Sequence, residues 1–509
     1  MEPTRDLTLP QHRTLVAALQ AALGPRGVEC ERIETHISTL LLAGEFAYKL
    51  RKPVALPFLD FTTLAARAHD CEEELRLNRR TAPRLYLDVR PVQGTLAQPR
   101  IGEPDESAGA IDWLLRMRRF DNELLLDRLA ARGALTEADV DALARRVADF
   151  HAALPASPAA YGDPASVLAW ARANFAALGD AVETDLHDWS EREFERIAPR
   201  IALRRAQGRV REGHGDLHLG NIVKLDGEPL PFDAIEFNPA LRHGDTMSDA
   251  AFVFMDLWRH GLRALAWRFA SAYAERGGDH EGLALLPFFA VYRALVRAQV
   301  AALRHDAAAV ARDLRTAREL TQLRQPRPLL LLTVGLSGSG KSTVALELLQ
   351  ALGAVRVRSD VERKRLAGLA ATARPSAQQT AQLYGPAMTQ RTYARLNALA
   401  ATLLQAGLNV IVDAAALRRH ERDALRALAA ECDADFRLIE CVAPEAVLRA
   451  RIARRQAEDH DASDADQEVL SLQLRICEIP ASEEAALRLD TDADPAVVRR
   501  RCLALVSRL

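Results

Sequence analysis

An apolar run, Leu329–Val334, leads directly into Gly335-Leu-Ser-Gly-Ser-Gly-Lys-Ser-Thr343. This is a strand feeding a glycine-rich turn with the Gly-x-x-x-x-Gly-Lys-Ser spacing, followed by a helix, and each part has a physical task. Glycines at 335, 338 and 340 let backbone N–H groups curl around phosphate oxygens without a side-chain clash. The helix beginning near Lys341 aims its positive end at the same anion. Lys341 is placed to reach the β- and γ-phosphates, and the Ser342 hydroxyl to ligate Mg²⁺, with Ser337, Ser339 and Thr343 completing the cradle. The segment predicts a nucleotide site on an open α/β sheet.

A chain of 509 residues is long enough for more than one domain. Its net charge of −2 gives no bulk attraction to nucleic acid or an anionic membrane. Arginine is used almost in place of lysine, and the only lysines are at 49, 52, 224, 341 and 364. Each lysine is therefore worth locating. Cysteines 30, 71, 432, 441, 477 and 502 form no Cys-x-x-Cys pair and have no zinc spacing, which predicts reduced thiols and a cytoplasmic protein. The N-terminus has no signal-peptide character, and no apolar run is expected to approach the roughly 20 residues that span a bilayer.

Leu323-Arg-Gln-Pro-Arg-Pro328 places two prolines between a long helical stretch and the glycine-rich turn, so a domain boundary is expected near residue 325. Before it, 31–37, 39–43 and 46–51 read as strands with a turn at Gly44-Glu45, 62–80 as helix and 83–92 as strand. From 135 to 322 the pattern is helical, broken at 209–240. After the boundary, strands at 329–334, 354–358, 408–412, 436–442 and 486–490 alternate with helices, which predicts right-handed βαβ units and a parallel sheet.

The break at 209–240 carries a second constellation. Asp216 and Asn221 lie within His214-Gly-Asp-Leu-His-Leu-Gly-Asn221, and Asp233 follows a short apolar strand. One Asp to take a hydroxyl proton, an Asn as Mg²⁺ ligand with four residues between, and a second Asp holding metal against the phosphates is protein-kinase logic. Phe46-Ala-Tyr-Lys49 has the spacing of the kinase lysine strand. Its carboxylate partner would come from the 62–80 helix, where Glu72, Glu73 and Glu74 compete. His214 reads as a brace for the loop, and Asp245 and Asp249 as caps or buttresses of the next helix.

These residues resemble the aminoglycoside phosphotransferase and choline kinase branch of the protein-kinase-like fold. The whole chain resembles bifunctional aminoglycoside phosphotransferase-like/ATP-binding proteins. The resemblance implies an α+β kinase-like domain over residues 1–325, with Asp216 as catalytic base, Asn221 and Asp233 as Mg²⁺ ligands, and Lys49 binding phosphate with Glu74 as the chosen partner. No Gly-x-Gly-x-x-Gly loop is present, so Thr35-His-Ile-Ser38 would cover the phosphates. Acids at Asp180, Glu183, Asp185 and Asp188 are flanked by Arg172, Arg192 and Arg196 and read as a solvated helix face, not as a pocket for a polycation.

In the second half, Asp360 sits just past the second strand, where open α/β sheets bind ligands, and suits a proton acceptor. Arg363 and Lys364, one turn on, suit an anionic group. Asn409-Val-Ile-Val-Asp413 ends in an acid placed to serve Mg²⁺. Arg451 and Arg455 share a helix face ahead of the polar stretch Glu458–Asp466, the pattern of a lid that brings arginine to a transferring phosphoryl. This part resembles small P-loop kinases of the gluconate kinase, polynucleotide kinase and zeta-toxin type. It implies a P-loop domain over 326–509 with a five-stranded parallel sheet. The sequence as a whole predicts an ATP- and Mg²⁺-dependent phosphotransferase with two kinase domains, its partners being ATP and small-molecule phosphoacceptors. A single catalytic domain beside a regulatory ATP-binding one is the alternative.

Overall fold

The structure is a computed structural model that describes residues 6–24, 30–56, 59–371, 373, 376–458 and 465–507. The chain divides into two compact units. The first comprises Met1–Leu135, Ala153–Asp163 and Arg205–Asp249; the second comprises Thr136–Ala152, Pro164–Arg204 and Ala250–Leu509.

The first unit is built on a six-stranded antiparallel sheet. Its order is Cys30–Glu34, Ser38–Ala43, Phe46–Arg51, Asp112–Arg118, Tyr86–Gly94, Pro99–Ile101. Gly44, at φ +58°, closes the hairpin that sets Leu40 opposite Lys49. Thr63 starts the helix Leu64–Asn78 by accepting a hydrogen bond from the Ala66 amide. One face of the sheet packs with Leu15, Val16 and Leu19 of the helix Leu9–Leu23. A second core cluster joins Cys71, Tyr86 and Leu115 to Val223 and Leu230 of the hairpin Ile222–Leu225/Glu228–Pro231. Asp233 follows that hairpin directly.

In the second unit five strands, in the order Ala354–Arg358, Asn409–Asp413, Leu329–Val334, Asp435–Val442, Leu487–Asp490, form an all-parallel sheet. The central strands Leu329–Val334 and Asn409–Asp413 are buried after their first residues, as expected where helices cover both faces. Their carboxyl ends bring the glycine-rich turn, Arg358, Asp413 and Asp490 to one edge of the sheet. The helical residues of this unit include Arg263–Gly277 and Leu286–Leu303. The helix Arg263–Gly277 lies against the outer strand of the sheet, where Ser271 Oγ accepts a hydrogen bond from the Arg356 amide at 3.1 Å. This helix precedes residue 325, yet it packs against both a strand and a helix that follow that position.

One expectation is corrected. His280–Leu303 reaches a mean hydropathy of 1.4 over an 18-residue window, long and apolar enough by composition to cross a bilayer. Here 72% of that window is buried inside the protein, so its apolar character is accounted for by packing among neighbouring helices. All six cysteines are free thiols.

Candidate functional site

Strand and helix periodicity together assemble the site of the first unit. Lys49 and Arg51 are two apart on a strand and so face the same side. Asp70 and Glu74 are four apart on the helix Leu64–Asn78 and also share a face. Lys49 Nζ donates to Glu74 Oε1 at 2.8 Å and to Asp233 Oδ1 at 3.0 Å. Arg51 donates to Glu74 and Glu236 and pairs with Asp70, so Glu74 bridges the two cations. Of the three competing acids, Glu74 meets the lysine; Glu73 turns to Arg76 and Arg242. Arg51, Asp70 and Glu236 carry no motif signal; strand parity with Lys49 could have singled out Arg51, and nothing local marks the other two.

The charges in this web set one another. Burial alone would lower the Lys49 ammonium, but Asp233 and Glu74 more than offset it and hold it above its ordinary value. Desolvation pushes Asp233 up, yet Lys49 outweighs it and the carboxyl stays below its usual range. Glu236 has the opposite balance: burial drives it to about 7, with Arg51 pulling back. Asp233 itself stands at φ +60°. Two side chains fix that turn: its amide donates to Tyr86 Oη at 3.1 Å, and the Ala234 amide to Asn78 Oδ1 at 2.9 Å.

The loop His214–Asn221 brings the remaining groups together. Asn221 Nδ2 donates to the Asp216 carbonyl at 3.0 Å and to Asp216 Oδ2 at 3.1 Å. His218 Nε2 lies 3.5 Å from the same carboxylate. Burial lowers the pKa of His214, and its neutral ring donates through Nε2 to the Phe232 carbonyl at 2.9 Å. Asp249 holds the loop itself, accepting the His214 and Gly215 amides at 2.7 and 3.0 Å. Asp245 caps the helix Thr246–Arg259 through the Met247 amide. At the Thr35–Ser38 turn, the Thr35 hydroxyl and the Ser38 backbone exchange hydrogen bonds, closing a tight loop without glycine.

In the second unit a cleft of about 600 Å³ opens at the carboxyl edge of the parallel sheet. The glycine-rich turn forms one wall. A Cβ at Gly335 would lie 2.5 Å from the Cys441 carbonyl, and one at Gly338 2.8 Å from that of Leu448, so neither position tolerates a side chain. Lys341 Nζ donates to the Leu336 carbonyl at 2.8 Å, folding the lysine over its own loop. Burial lowers the Lys341 pKa, with Asp413 opposing. The loop is braced from outside: Gln473 Oε1 accepts the Ser337 amide, and Thr491 Oγ1 donates to the Ser339 carbonyl.

Asp413 is buried at the strand end, and its Oδ2 accepts no hydrogen bond. Arg358, its neighbour in register, places Nε 3.6 Å from that oxygen. Arg358 in turn pairs with Glu275 at 3.4 Å, and Glu275 also takes Arg356 at 3.1 Å. Asp360 lines the cleft in the first turn of the helix Ser359–Leu366, whose N-cap is Arg358 and not Asp360. Ser342, Thr343 and Arg363 line it too.

Arg451 and Arg455 line the cleft with the glycine-rich turn, whereas Lys364 differs from expectation. Lys364 is buried away from the cleft, its Nζ on the carbonyls of Ala371 and Ala373. Arg451 donates to the carbonyls of Gly338 and Thr491, so it buttresses the glycine-rich turn. Arg455 ties to the Ala465 carbonyl at 2.6 Å. Residues 459–464 of the expected lid lie outside the described residues.

The residues suit Mg²⁺ held jointly with a nucleotide. Among the described residues no group of three or more His, Cys, Asp or Glu is arranged to hold a metal by itself. Mg²⁺ in nucleotide sites needs only one or two carboxylates because phosphates and waters supply the rest. The orphaned buried oxygen of Asp413, beside Lys341 and Ser342, and the half-exposed Asp233 carboxylate are donors of that kind.

Residues 330–480 match the AAA domain family. The chain is similar to uncharacterized proteins of Mycobacterium tuberculosis and Mycobacterium bovis, at 30% identity over 446 residues, covering 84% of this chain and 87% of theirs. Among solved structures, the GDP complex of aminoglycoside 2'-phosphotransferase-IIIa is 14% identical, with a TM-score of 0.38, covering 60% of this chain and 97% of that one. A gluconokinase from Sinorhizobium meliloti is 24% identical, with a TM-score of 0.27, covering 36% of this chain and 94% of that one. This chain belongs to the same family as the mycobacterial proteins, and its glycine-rich turn and most of its parallel sheet lie in the part that matches an AAA domain.

Proposed function

We propose that this protein is a cytoplasmic phosphotransferase with two ATP- and Mg²⁺-dependent sites, each acting on a hydroxyl group of a small molecule. The observation that carries the reading is the ion-paired set Lys49, Glu74 and Asp233 beside the bonded pair Asp216 and Asn221. In the first unit Lys49 binds phosphate, Asn221 and Asp233 hold Mg²⁺, and Asp216 orients the acceptor hydroxyl. In the second, the Gly335–Thr343 loop binds the phosphates, Ser342 and Asp413 hold Mg²⁺, and Asp360 faces the acceptor. Bound Mg²⁺ would neutralise charge on the β- and γ-phosphates. At either site the acceptor oxygen bonds to the γ-phosphorus as the bond to the β–γ bridging oxygen breaks. ADP leaves with that electron pair, and the hydroxyl proton passes to Asp216 or Asp360.

Arg451, engaged with Gly338 and Thr491, favours a second reading in which the P-loop unit binds ATP to regulate the first. A phosphoacceptor screen with γ-labelled ATP separates the two, run on the full chain and on its Asp216→Ala and Asp360→Asn variants. Two active sites predict two acceptors, each lost in one variant. A single acceptor lost only in Asp216→Ala supports the regulatory reading, and labelling unchanged in both variants excludes both.

A further inference from the structure

A cavity of about 400 Å³ lies in the first unit, and helix and strand periodicity together build it. Leu9, His12, Arg13 and Val16 fall at i, i+3, i+4 and i+7 of the helix Leu9–Leu23, a single stripe that forms one wall. Arg32 and Glu34, two apart on the edge strand Cys30–Glu34, supply the facing wall, and Lys52 closes it. In the antiparallel ladder Arg32 stands opposite Leu41, and Leu41 opposite Tyr48. Leu41 and Tyr48 pack with Val16, so this is the helix-covered face of the sheet. Lys49, the residue after Tyr48, points to the other face. None of Lys49, Glu74, Asp216, Asn221 and Asp233 lines this cavity.

Its lining carries the cations Arg13, Arg32 and Lys52 against one carboxylate among the described residues, Glu34. Glu34 is shared: Oε1 lies 3.5 Å from Arg32 Nε, and the other oxygen pairs with Lys52. Lys52 Nζ also donates to the Thr35 carbonyl at 2.6 Å, which leaves one of its three protons for another acceptor. A concave site with a surplus of one sign of charge draws the opposite sign. His12 is 1% exposed, and neither ring nitrogen has a hydrogen-bond partner. Its Nδ1 lies 3.7 Å from Asp112 Oδ2, and that carboxylate favours the ring proton on Nδ1. Nε2 is then a buried lone pair that no donor meets, in a wall of the cavity; buried polar atoms are ordinarily satisfied. Sulfate esters and carboxylates suit the cations but bring no proton to Nε2. A phosphate monoester brings both, because its second ionisation falls at about pH 6 and its proton can be shared with an imidazole. We infer that this cavity binds the phosphate monoester of a small molecule. The phosphoryl oxygens meet Arg13, Arg32 and Lys52, one shares its proton with His12, and the organic part lies against Leu9 and Val16.

The test is calorimetric titration of the full chain, with Mg²⁺ and a non-hydrolysable ATP analogue present in saturating amounts. The probes are matched pairs: glucose 6-phosphate and glucose 6-sulfate, phenyl phosphate and phenyl sulfate, and inorganic phosphate and sulfate. At least one phosphate ester is expected to bind more tightly than both its sulfate counterpart and inorganic phosphate. The double variant Arg13→Gln/Arg32→Gln, altered only at exposed side chains, should weaken that binding by roughly tenfold or more, the loss of charge-assisted hydrogen bonds, and leave affinity for the nucleotide analogue unchanged. His12→Phe, with folding checked by urea unfolding, should bring the phosphate and sulfate esters level. The inference is overturned if no ester binds, if the sulfate or inorganic phosphate binds as tightly as the ester, or if the double variant binds the ester as the wild type does. Should His12→Phe fail to fold, the double variant and the phosphate–sulfate pairs decide the matter without it.

Discussion

The two lysines proposed to hold phosphate are kept ready in opposite ways. Lys49 is neutralised by carboxylates from two other elements, Glu74 on a helix and Asp233 after a hairpin. Lys341 is held by a carbonyl of its own loop and, among the described residues, has no carboxylate within ion-pair distance. The first arrangement is a tertiary construction: the lysine is placed by charges that only folding brings together. The second is local, since Lys341 lies only five positions after Leu336, whose carbonyl it meets, and glycine geometry does the rest. A nucleotide arriving at Lys49 must share it with two carboxylates. One arriving at Lys341 exchanges a single neutral hydrogen bond for phosphate contacts.

The largest effect should come from the group with no substitute on either side of this contrast. Asp216→Ala is expected to lower phosphoryl transfer by the first unit by roughly 10²- to 10⁴-fold, the usual worth of a positioned general base. Nucleotide affinity should be nearly unchanged, because the Lys49 set is intact. Transfer rates and equilibrium nucleotide titration on the full chain check this, and transfer near the wild-type level would exclude Asp216 as the base.

Next in size is a paired experiment on the lysines. Lys341→Ala should weaken nucleotide binding to the P-loop unit by about 10- to 100-fold, the loss of one charge-assisted contact, with little change in stability. Lys49→Ala should weaken nucleotide binding less and destabilise the protein more, because it leaves Glu74 and Asp233 without the cation between them. Titration and urea unfolding of both variants test the contrast, and equal stability losses would erase it.

The same contrast explains what was legible in the sequence. Local geometry was readable: the glycine-rich turn, all five strands of the parallel sheet, and the His214–Asn221 loop follow from spacing over a few residues. The carboxylate web around Lys49 was readable only in outline. Its pairs span as many as 185 residues, as between Arg51 and Glu236, and no local pattern encodes them. Glu74 was separable from Glu72 and Glu73 only once the helix phase was fixed. Lys364 was misplaced for the same reason: it follows Arg363 directly, and successive helix positions point about 100° apart. Gln473 and Thr491 behind the loop and Glu275 behind Arg358 belong to elements far along the chain, with nothing local to announce them.

Glu275 extends the comparison to the P-loop unit, where it braces Arg358 beside Asp413 from a distant part of the chain. It answers two arginines on the outer strand, and their charges together hold its carboxyl below the usual range against the effect of burial. Glu275→Gln should cost about 1 kcal/mol in urea unfolding, the low end for leaving partly buried charged donors short of a partner. Arg358, released from Glu275, should then draw closer to Asp413 and raise the Mg²⁺ concentration needed for nucleotide binding. If stability falls without any change in Mg²⁺ requirement, the contact is structural only.

The smallest effect is a slope. Glu236 titrates at about 7 in the folded protein, above its ordinary 4.5, because burial disfavours the charged form more than Arg51 favours it. Between those values the folded state holds a proton that the unfolded state has released. Stability therefore falls as pH rises across that window, and the contribution is flat below it and above it. Glu236→Gln removes the titrating group and keeps an acceptor for Arg51, which retains Asp70 and Glu74. Urea unfolding at pH 5, 6 and 7 should show the wild type losing stability relative to the variant at each step. An identical pH dependence in the two proteins would mean that Arg51 holds Glu236 ionised. The carboxylate web would then be fully charged, and Lys49 would face a stronger competing field than this balance of charges assigns to it.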